Sequence, residues 1–218
     1  MYDISGGESR RVVVIGQGYV GLPVAIRAVE VGFEVVGFDI DKTRIDCLRK
    51  SETFIDDITD RDLAIAMSTG RYLPTDDSAA LAGFDVAVVC VPTPLRDGAP
   101  DLSYVEDAAV LITPHITPGC CVILESTSYP GTTEEIFIPI LEAGSGLRAG
   151  AQFFAGYSPE RIDPGNQIWR FQNTPKIIAG VNQASLRALQ DFYGRLVEQT
   201  VPVPGLREAE LAKLLENT

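Results

Sequence analysis

The stretch Arg11-Val12-Val13-Val14-Ile15-Gly16-Gln17-Gly18-Tyr19-Val20-Gly21 decides the fold. Four consecutive β-branched residues after Arg11 form a strand that is apolar on both faces, the pattern of a strand covered from two sides. Gly16 breaks that strand, and residues 19–31 then recur at helical spacing until Gly32. The glycines read G-x-G-x-x-G, which alone is a weak signal. Directly behind a strand and opening a helix, it is the turn that cradles a dinucleotide diphosphate. Gly16 permits the tight turn, Gly18 lets backbone approach the ligand, and Gly21 lets helix and strand pack closely. The next strand, 34–38, ends at Asp39, 18 residues beyond Gly21. A carboxylate there accepts hydrogen bonds from the adenosine ribose and repels a 2′-phosphate, so NAD is favoured over NADP. Lys42 and Arg44 stand nearby; they either soften that preference or are solvated helix residues. A glycine turn without a ligand is the plain alternative.

Outward from this unit the same alternation repeats. Helices are expected at 41–50, 60–68, 103–112, 132–141, 182–193 and from 206 onward. Strands are expected at 72–74, 85–91, 120–124, 153–157, 176–179 and 200–203. Ser103 with Glu106, and Thr132 with Glu135, have capping-box spacing, and Asn182 is placed to cap its helix. Apolar strands alternating with helices predict a Rossmann-type doubly wound α/β fold, its sheet mainly parallel with helices on both faces. The expected division is a flexible N-terminus at 1–10, a dinucleotide-binding domain at 11–204, and an amphipathic helix at 205–218 interrupted by the end of the chain. No proline or glycine stop follows that helix.

The chain has 218 residues, enough for one large α/β domain. Its net charge of −12 repels a phosphate backbone, which argues against nucleic-acid binding; a small phosphorylated ligand is still accepted locally at a helix N-terminus. No secretory leader and no membrane-length apolar run are visible, so a cytoplasmic location is expected. None of the four cysteines, Cys47, Cys90, Cys120 and Cys121, forms a C-x-x-C pair. Cys90, Cys120 and Cys121 sit in apolar runs and read as inert core thiols. His115, the single histidine, follows a proline without a positioned partner and reads as structural. With no Ser/His/Asp set and no clustered His/Cys ligands, hydrolase and metalloenzyme readings have little support, and no metal is expected.

Open parallel sheets bind ligands beyond the carboxyl ends of their strands. After Val91 comes Pro92-Thr93-Pro94; after Leu124 comes Glu125-Ser126-Thr127-Ser128; after Tyr157 comes Ser158-Pro159-Glu160-Arg161. These loops converge on the edge that carries Gly16 and Asp39, and predict one crevice lined by Thr93, Ser126, Thr127 and Glu160. Each has a bland alternative. The hydroxyls could cap turns, Glu160 could pair with Arg161 or another surface cation, and Asp163-Pro164-Gly165 is first a turn.

Six stretches, in order, resemble the UDP-glucose/GDP-mannose dehydrogenase family: Gly-Tyr-Val-Gly-Leu-Pro at 18–23, Val-Pro-Thr-Pro at 91–94, Pro-Asp-Leu-Ser-Tyr-Val at 100–105, Glu-Ser-Thr-Ser-Tyr-Pro-Gly-Thr-Thr at 125–133, Tyr-Ser-Pro-Glu-Arg-Ile-Asp-Pro-Gly-Asn at 157–166, and Glu-Leu-Ala-Lys-Leu-Leu-Glu-Asn-Thr at 210–218. The stretch around Glu160 is most similar to the branch acting on UDP-N-acetylhexosamines. The resemblance implies oxidation of a sugar C6 alcohol to a carboxylate in two NAD-dependent steps, through a thiohemiacetal and a thioester on a cysteine. It implies that Thr127 positions water, that Glu160 serves acid/base chemistry or thioester hydrolysis, and that Lys213 and Asn217 stabilise oxyanions. Residues 213 and 217 share one helix face, and an ammonium and an amide suit developing negative charge. Read without the family, Lys213 is a solvated helix lysine. The cofactor contacts so expected are Gly16, Gly18, Tyr19, Val20, Gly21, Asp39, Arg44, Val91, Pro92, Thr93, Ser126, Thr127 and Glu160.

The chain departs from the family at the nucleophile: no Gly-Gly-x-Cys-x-Pro-like segment occurs, and none of the four cysteines matches it. The expectation is an NAD-binding part, truncated before the central helix and the sugar-nucleotide domain, that binds NAD without turnover. The parent is expected to be a homodimer or higher. UDP-glucose and GDP-mannose dehydrogenases, a hydroxyacid-type dehydrogenase, and a non-catalytic NAD-sensing module are the alternatives.

Overall fold

A computed structural model describes residues 10–96, 99–161 and 171–216. Its first unit is β1 (Arg11–Ile15), α1 (Gly21–Glu30), β2 (Glu34–Phe38), α2 (Lys42–Arg49), α3 (Asp60–Ser68) and β3 (Tyr72–Thr75). There follow β4 (Val86–Val89), a short hairpin of β5 (Leu95–Arg96) and β6 (Ala99–Pro100), α4 (Ser103–Ile112) and β7 (Cys121–Leu124). The last elements are α5 (Ile138–Ser145), β8 (Phe154–Tyr157), β9 (Lys176–Gly180), α6 (Gln183–Leu196), β10 (Thr200–Pro202) and α7 (Leu206–Glu216). Among the described residues no helix is long and apolar enough to cross a membrane.

Eight strands form one sheet in the order β10-β9-β8-β7-β4-β1-β2-β3. Six of them run parallel, from β3 through β8. β9 lies antiparallel to β8, and β10 is parallel to β9. The chain order reverses between β1 and β4, so the loops leaving these two strands diverge and leave a crevice there.

Alternation along each strand builds two cores, one on each face of the sheet. Val12 and Val14 point into a core with α1, α2, α3 and α6, where Leu22, Leu48, Leu63 and Phe192 are buried. Val13 and Ile15 point into the other, with Val105 and Ile112 of α4, Leu141 of α5, and Leu206 and Ala209 of α7. The all-apolar strands seen in the sequence thus have the physical cause assigned to them.

Two caps differ from expectation. α4 begins after Leu102, which has no side chain to cap it; the Ser103 N–H instead donates to Asp101 Oδ1 at 3.0 Å. At the second site the Thr132 hydroxyl turns back to Tyr129 O at 2.8 Å. Residues Thr133–Phe137 wind as a π-helical turn, and Glu135 pairs with Arg207. In both places the group is bonded to a residue that precedes the helix. Asn182 does cap α6, accepting from Ser185 N at 2.9 Å.

The π-helical turn and its approach loop are held by α7. Glu210 is fully buried and accepts from Gly131 N at 2.6 Å, Thr133 N at 2.8 Å, Thr133 Oγ1 at 2.6 Å and Ser128 Oγ at 3.4 Å. Burial pushes its pKa up, and the donors from Thr133 and Gly131 oppose that shift. Truncation to Ala strands these buried donors, so Glu210→Ala is expected to destabilise the chain by about 3 kcal/mol in a urea titration. A loss below about 0.5 kcal/mol would show that Leu206 and Ala209 dock α7 without it.

Candidate functional site

The first turn is built from close backbone approaches. Gly16 has φ +90°, and a Cβ placed on it would lie 2.6 Å from Cys90 O. A Cβ on Gly21 would lie 1.8 Å from Gly16 O. Neither position has room for a side chain, so β1, α1 and the end of β4 meet as only glycine allows. Gly18 is different: a Cβ there meets nothing within 4 Å, because it borders an open cavity. α1 has no side-chain cap and no acidic residue in its first turn. Its positive end is therefore left to an outside anion, as a diphosphate site requires.

Asp39 stands at the same rim. Its Oδ2 accepts from Gln17 N at 2.8 Å and from Arg44 Nη1 at 2.8 Å, and its Oδ1 accepts from Asp41 N at 2.9 Å. One carboxylate thus ties the glycine turn to the end of β2. Arg44 also lies over the Phe54 ring, 5.2 Å from its centroid. Gln17 is buried beneath the turn, donating to Val14 O at 2.9 Å and accepting from Tyr72 Oη at 2.7 Å. Gly37 makes room for it: a Cβ there would lie 2.6 Å from Gln17 Oε1. Burial, with Asp39 nearby, pushes the Tyr72 pKa up, so its hydroxyl stays a donor.

The cavity over this rim has a volume of about 890 Å³, in the upper range of small-molecule sites. Asp39, Ile40, Asp41 and Arg44 line it beyond β2; Gly16, Gly18, Tyr19 and Val20 line it beyond β1. Cys90, Val91, Pro92 and Thr93 line it beyond β4, and Glu125, Ser126 and Thr127 beyond β7. Tyr104, Asp107, Ala108 and Leu111 of α4 contribute a further wall, which the sequence reading had missed because their spacing looked like ordinary helix.

Three of the four residues expected to line one crevice do so. Glu160 does not line this cavity. It sits behind the wall, with Oε2 3.0 Å from Lys176 Nζ and Oε1 accepting from Arg161 N at 2.7 Å. The cause is β9: running antiparallel to β8, it begins at the rim where the parallel strands end, and sets Lys176 opposite Glu160. Lys176 also meets Glu125 Oε1 at 2.7 Å, and Glu125 accepts from Tyr193 Oη at 2.6 Å and contacts Cys90 Sγ at 3.4 Å. Glu125 is 1% exposed and Lys176 4%. Burial pulls the Lys176 pKa down, but Glu125 and Glu160 outweigh it and hold the ammonium charged. Burial pushes the Glu125 pKa up, and Lys176 opposes that shift. Neither Glu125 nor Lys176 had been singled out, although an acid directly behind an apolar strand was a readable signal.

Lys213 lies on α7, part-exposed, one turn beyond Glu210. Asn217 and the 163–165 turn lie outside the described residues. Burial pushes the Cys90 and Cys121 thiols well up and Cys120 to about 11, which makes all three poor nucleophiles. His115 closes a short 3-10 turn, Thr113–His115, away from the cavity lining. Among the described residues no cluster of three His, Cys, Asp or Glu could hold a metal.

Comparison with known proteins places this geometry. Residues 10–197 match the model of the UDP-glucose/GDP-mannose dehydrogenase family, NAD binding domain. The chain is 39% identical to a UDP-N-acetyl-D-glucosamine 6-dehydrogenase of Pseudomonas aeruginosa, over 95% of this chain and 49% of that protein. It is 36% identical to the UDP-N-acetyl-D-mannosamine dehydrogenase of Pyrococcus horikoshii, over 95% of this chain and 50% of that protein. The solved structure of the P. horikoshii enzyme superposes with a TM-score of 0.90, again over 95% and 50%. A UDP-glucose dehydrogenase from Pyrobaculum islandicum superposes at 0.86 with 28% identity, over 100% of this chain and 51% of that one. The chain spans about half the length of the curated relatives it matches. A glycine turn with an open approach at Gly18, an uncapped helix and a carboxylate one strand over fit NAD, and the chain belongs to the UDP-glucose/GDP-mannose dehydrogenase family through its NAD-binding domain.

Proposed function

We propose that this chain is the cofactor-binding half of an enzyme that oxidises the C6 alcohol of a UDP-N-acetylhexosamine to the uronate in two NAD-dependent steps. The observation that carries the reading is the cavity at the β1/β4 crevice, open above Gly18 and walled by Asp39, Thr93, Ser126 and Thr127. The choice of sugar leans on the relatives, two of which are named for UDP-N-acetylated hexosamines. The proposed location is the cytoplasm.

Bound NAD supplies the hydride acceptor. The backbone at Gly16 and Gly18 and the positive end of α1 hold its diphosphate, while Asp39 receives the adenosine ribose hydroxyls with Arg44 beside it. Tyr19, Val20, Val91, Pro92 and Thr93 flank the dinucleotide, and Ser126 and Thr127 approach its other half. Thr127 orients water. Glu160 acts in proton transfer or thioester hydrolysis, and its ion pair with Lys176 positions it. Lys213 and Asn217 stabilise developing oxyanions. Glu210 supports that geometry, because it joins the helix carrying Lys213 to the loop that follows Thr127.

In this reading, 11–204 is the dinucleotide-binding unit and 205–218 opens a helix shared with a sugar-nucleotide domain. Leu211 and Leu215, one turn apart and 46% and 69% exposed, are the apolar positions such a helix offers to a homodimer. The nucleophilic cysteine belongs to that further domain, in keeping with the raised pKa values of Cys90, Cys120 and Cys121.

Calorimetric titration of the chain is expected to show one NAD site. Gly18→Val is expected to leave the melting temperature unchanged, since no atom lies in the way of its Cβ, yet to weaken NAD by roughly a hundredfold through blocked approach of the diphosphate. Unaltered NAD affinity in that variant would displace the cofactor from this turn. Incubated with UDP-N-acetylglucosamine or UDP-N-acetylmannosamine and NAD, the chain is expected to make no NADH, read by absorbance of the reduced nicotinamide. Sustained turnover would overturn the assignment of the nucleophile to another domain.

A further inference from the structure

The mechanism above uses Glu160 but leaves a buried cluster unexplained. Glu125, Lys176 and Glu160 form a continuous ion triad, with Lys176 Nζ 2.7 Å from one carboxylate and 3.0 Å from the other. Two carboxylates and one ammonium leave a single net negative charge. Surface ion pairs are commonplace, but a buried one costs desolvation and is weak evidence of stabilisation. Here the surroundings keep the charges in place. Tyr193 donates to Glu125 at 2.6 Å, Pro159 O accepts from Lys176 at 3.3 Å, and Lys176 stands 5.5 Å from the Phe171 and Tyr193 ring centroids.

The position of the triad matters more than its stability. Glu125 is itself a wall residue of the cofactor cavity, at the β4–β7 side. The diphosphate at the glycine turn and the adenosine ribose at Asp39 occupy the β1–β2 side, which leaves the nicotinamide the side where Glu125 stands. The oxidised nicotinamide ring is a cation and the reduced ring is neutral. A fixed negative charge in a wall of low polarisability therefore discriminates between the two redox forms of one ligand.

We propose that the Glu125–Lys176–Glu160 triad is a specificity-determining element that favours NAD⁺ over NADH in this cavity through its net negative charge. Lys176 lies within ion-pair distance of both carboxylates and offsets part of their charge, so two carboxylates and one ammonium carry one negative charge and not two. The inference rests on the cofactor reading above. It also fits that reading's demand that one site exchange NADH for NAD⁺ between two oxidations of the same substrate.

The test is the ratio of dissociation constants for NADH and NAD⁺, measured on the same chain by calorimetry and by nicotinamide fluorescence. Glu125→Gln removes the negative charge at constant shape and is expected to weaken NAD⁺ roughly tenfold while NADH changes less than about twofold. Glu125→Asp keeps the charge and is expected to preserve the wild-type ratio. If Glu125→Gln lowers the melting temperature too far to be assayed, Glu160→Gln removes the same unit of charge from the other end of the triad and should move the ratio in the same direction. Equal loss of both affinities, or an unchanged ratio in the neutral variants, would overturn the electrostatic role and leave the triad a packing device. Absence of NAD binding by the unaltered chain is a separate outcome; it would defeat the cofactor reading and this inference with it.

Discussion

Three backbone segments meet where β1 gives way to α1, and the site depends on that meeting. Gly16 passes over the carbonyl of Cys90, and Gly21 passes over the carbonyl of Gly16, at distances that no Cβ could occupy. Because the approach is that close, α1 starts directly above the sheet edge and its uncapped first turn faces the cavity. The same approach brings the Gln17 N–H within reach of Asp39, which locks the turn to the neighbouring strand. The glycine turn and the Asp39 carboxylate are therefore parts of one hydrogen-bonded unit. A change that loosened either glycine would displace both at once.

Much of this was legible in the residues because it is local. The apolar strands, the helix spacings and the glycine turn each follow from a short stretch read against a known period. Asp39 was legible too, since it ends the strand adjacent to the turn. The two failed capping boxes show where local reading stops. Ser103 and Thr132 have the right spacing, but the Ser103 amide bonds Asp101 and the Thr132 hydroxyl bonds Tyr129 O, and only the folded loops reveal it. Glu210 escaped notice for the same reason: its partners are 77 to 82 residues away in the chain.

The most consequential feature that the sequence concealed is the direction of β9. An apolar run such as Lys-Ile-Ile-Ala reads the same whichever way the strand is laid, and a mainly parallel sheet was the natural expectation. Reversal puts the first residue of β9, and not its last, at the functional rim. Lys176 arrives there between two carboxylates that end β7 and follow β8, and Glu160 is drawn behind the wall that Thr93, Ser126 and Thr127 line.

That arrangement separates two tasks that a simpler crevice would have combined. Glu125 lines the cavity while nearly inaccessible to solvent, because Lys176 and Tyr193 both meet its Oε1 and the Cys90 thiol meets its Oε2. Glu160, 12% exposed at the other end of the same ammonium, keeps one oxygen against Lys176 and the other against the Arg161 amide. Movement of a proton or charge at one carboxylate must then be felt at the other through a shared cation less than 3.1 Å from each. The two carboxylates on either side of the wall are thus coupled by a single lysine, whose place is set by the topology of the sheet.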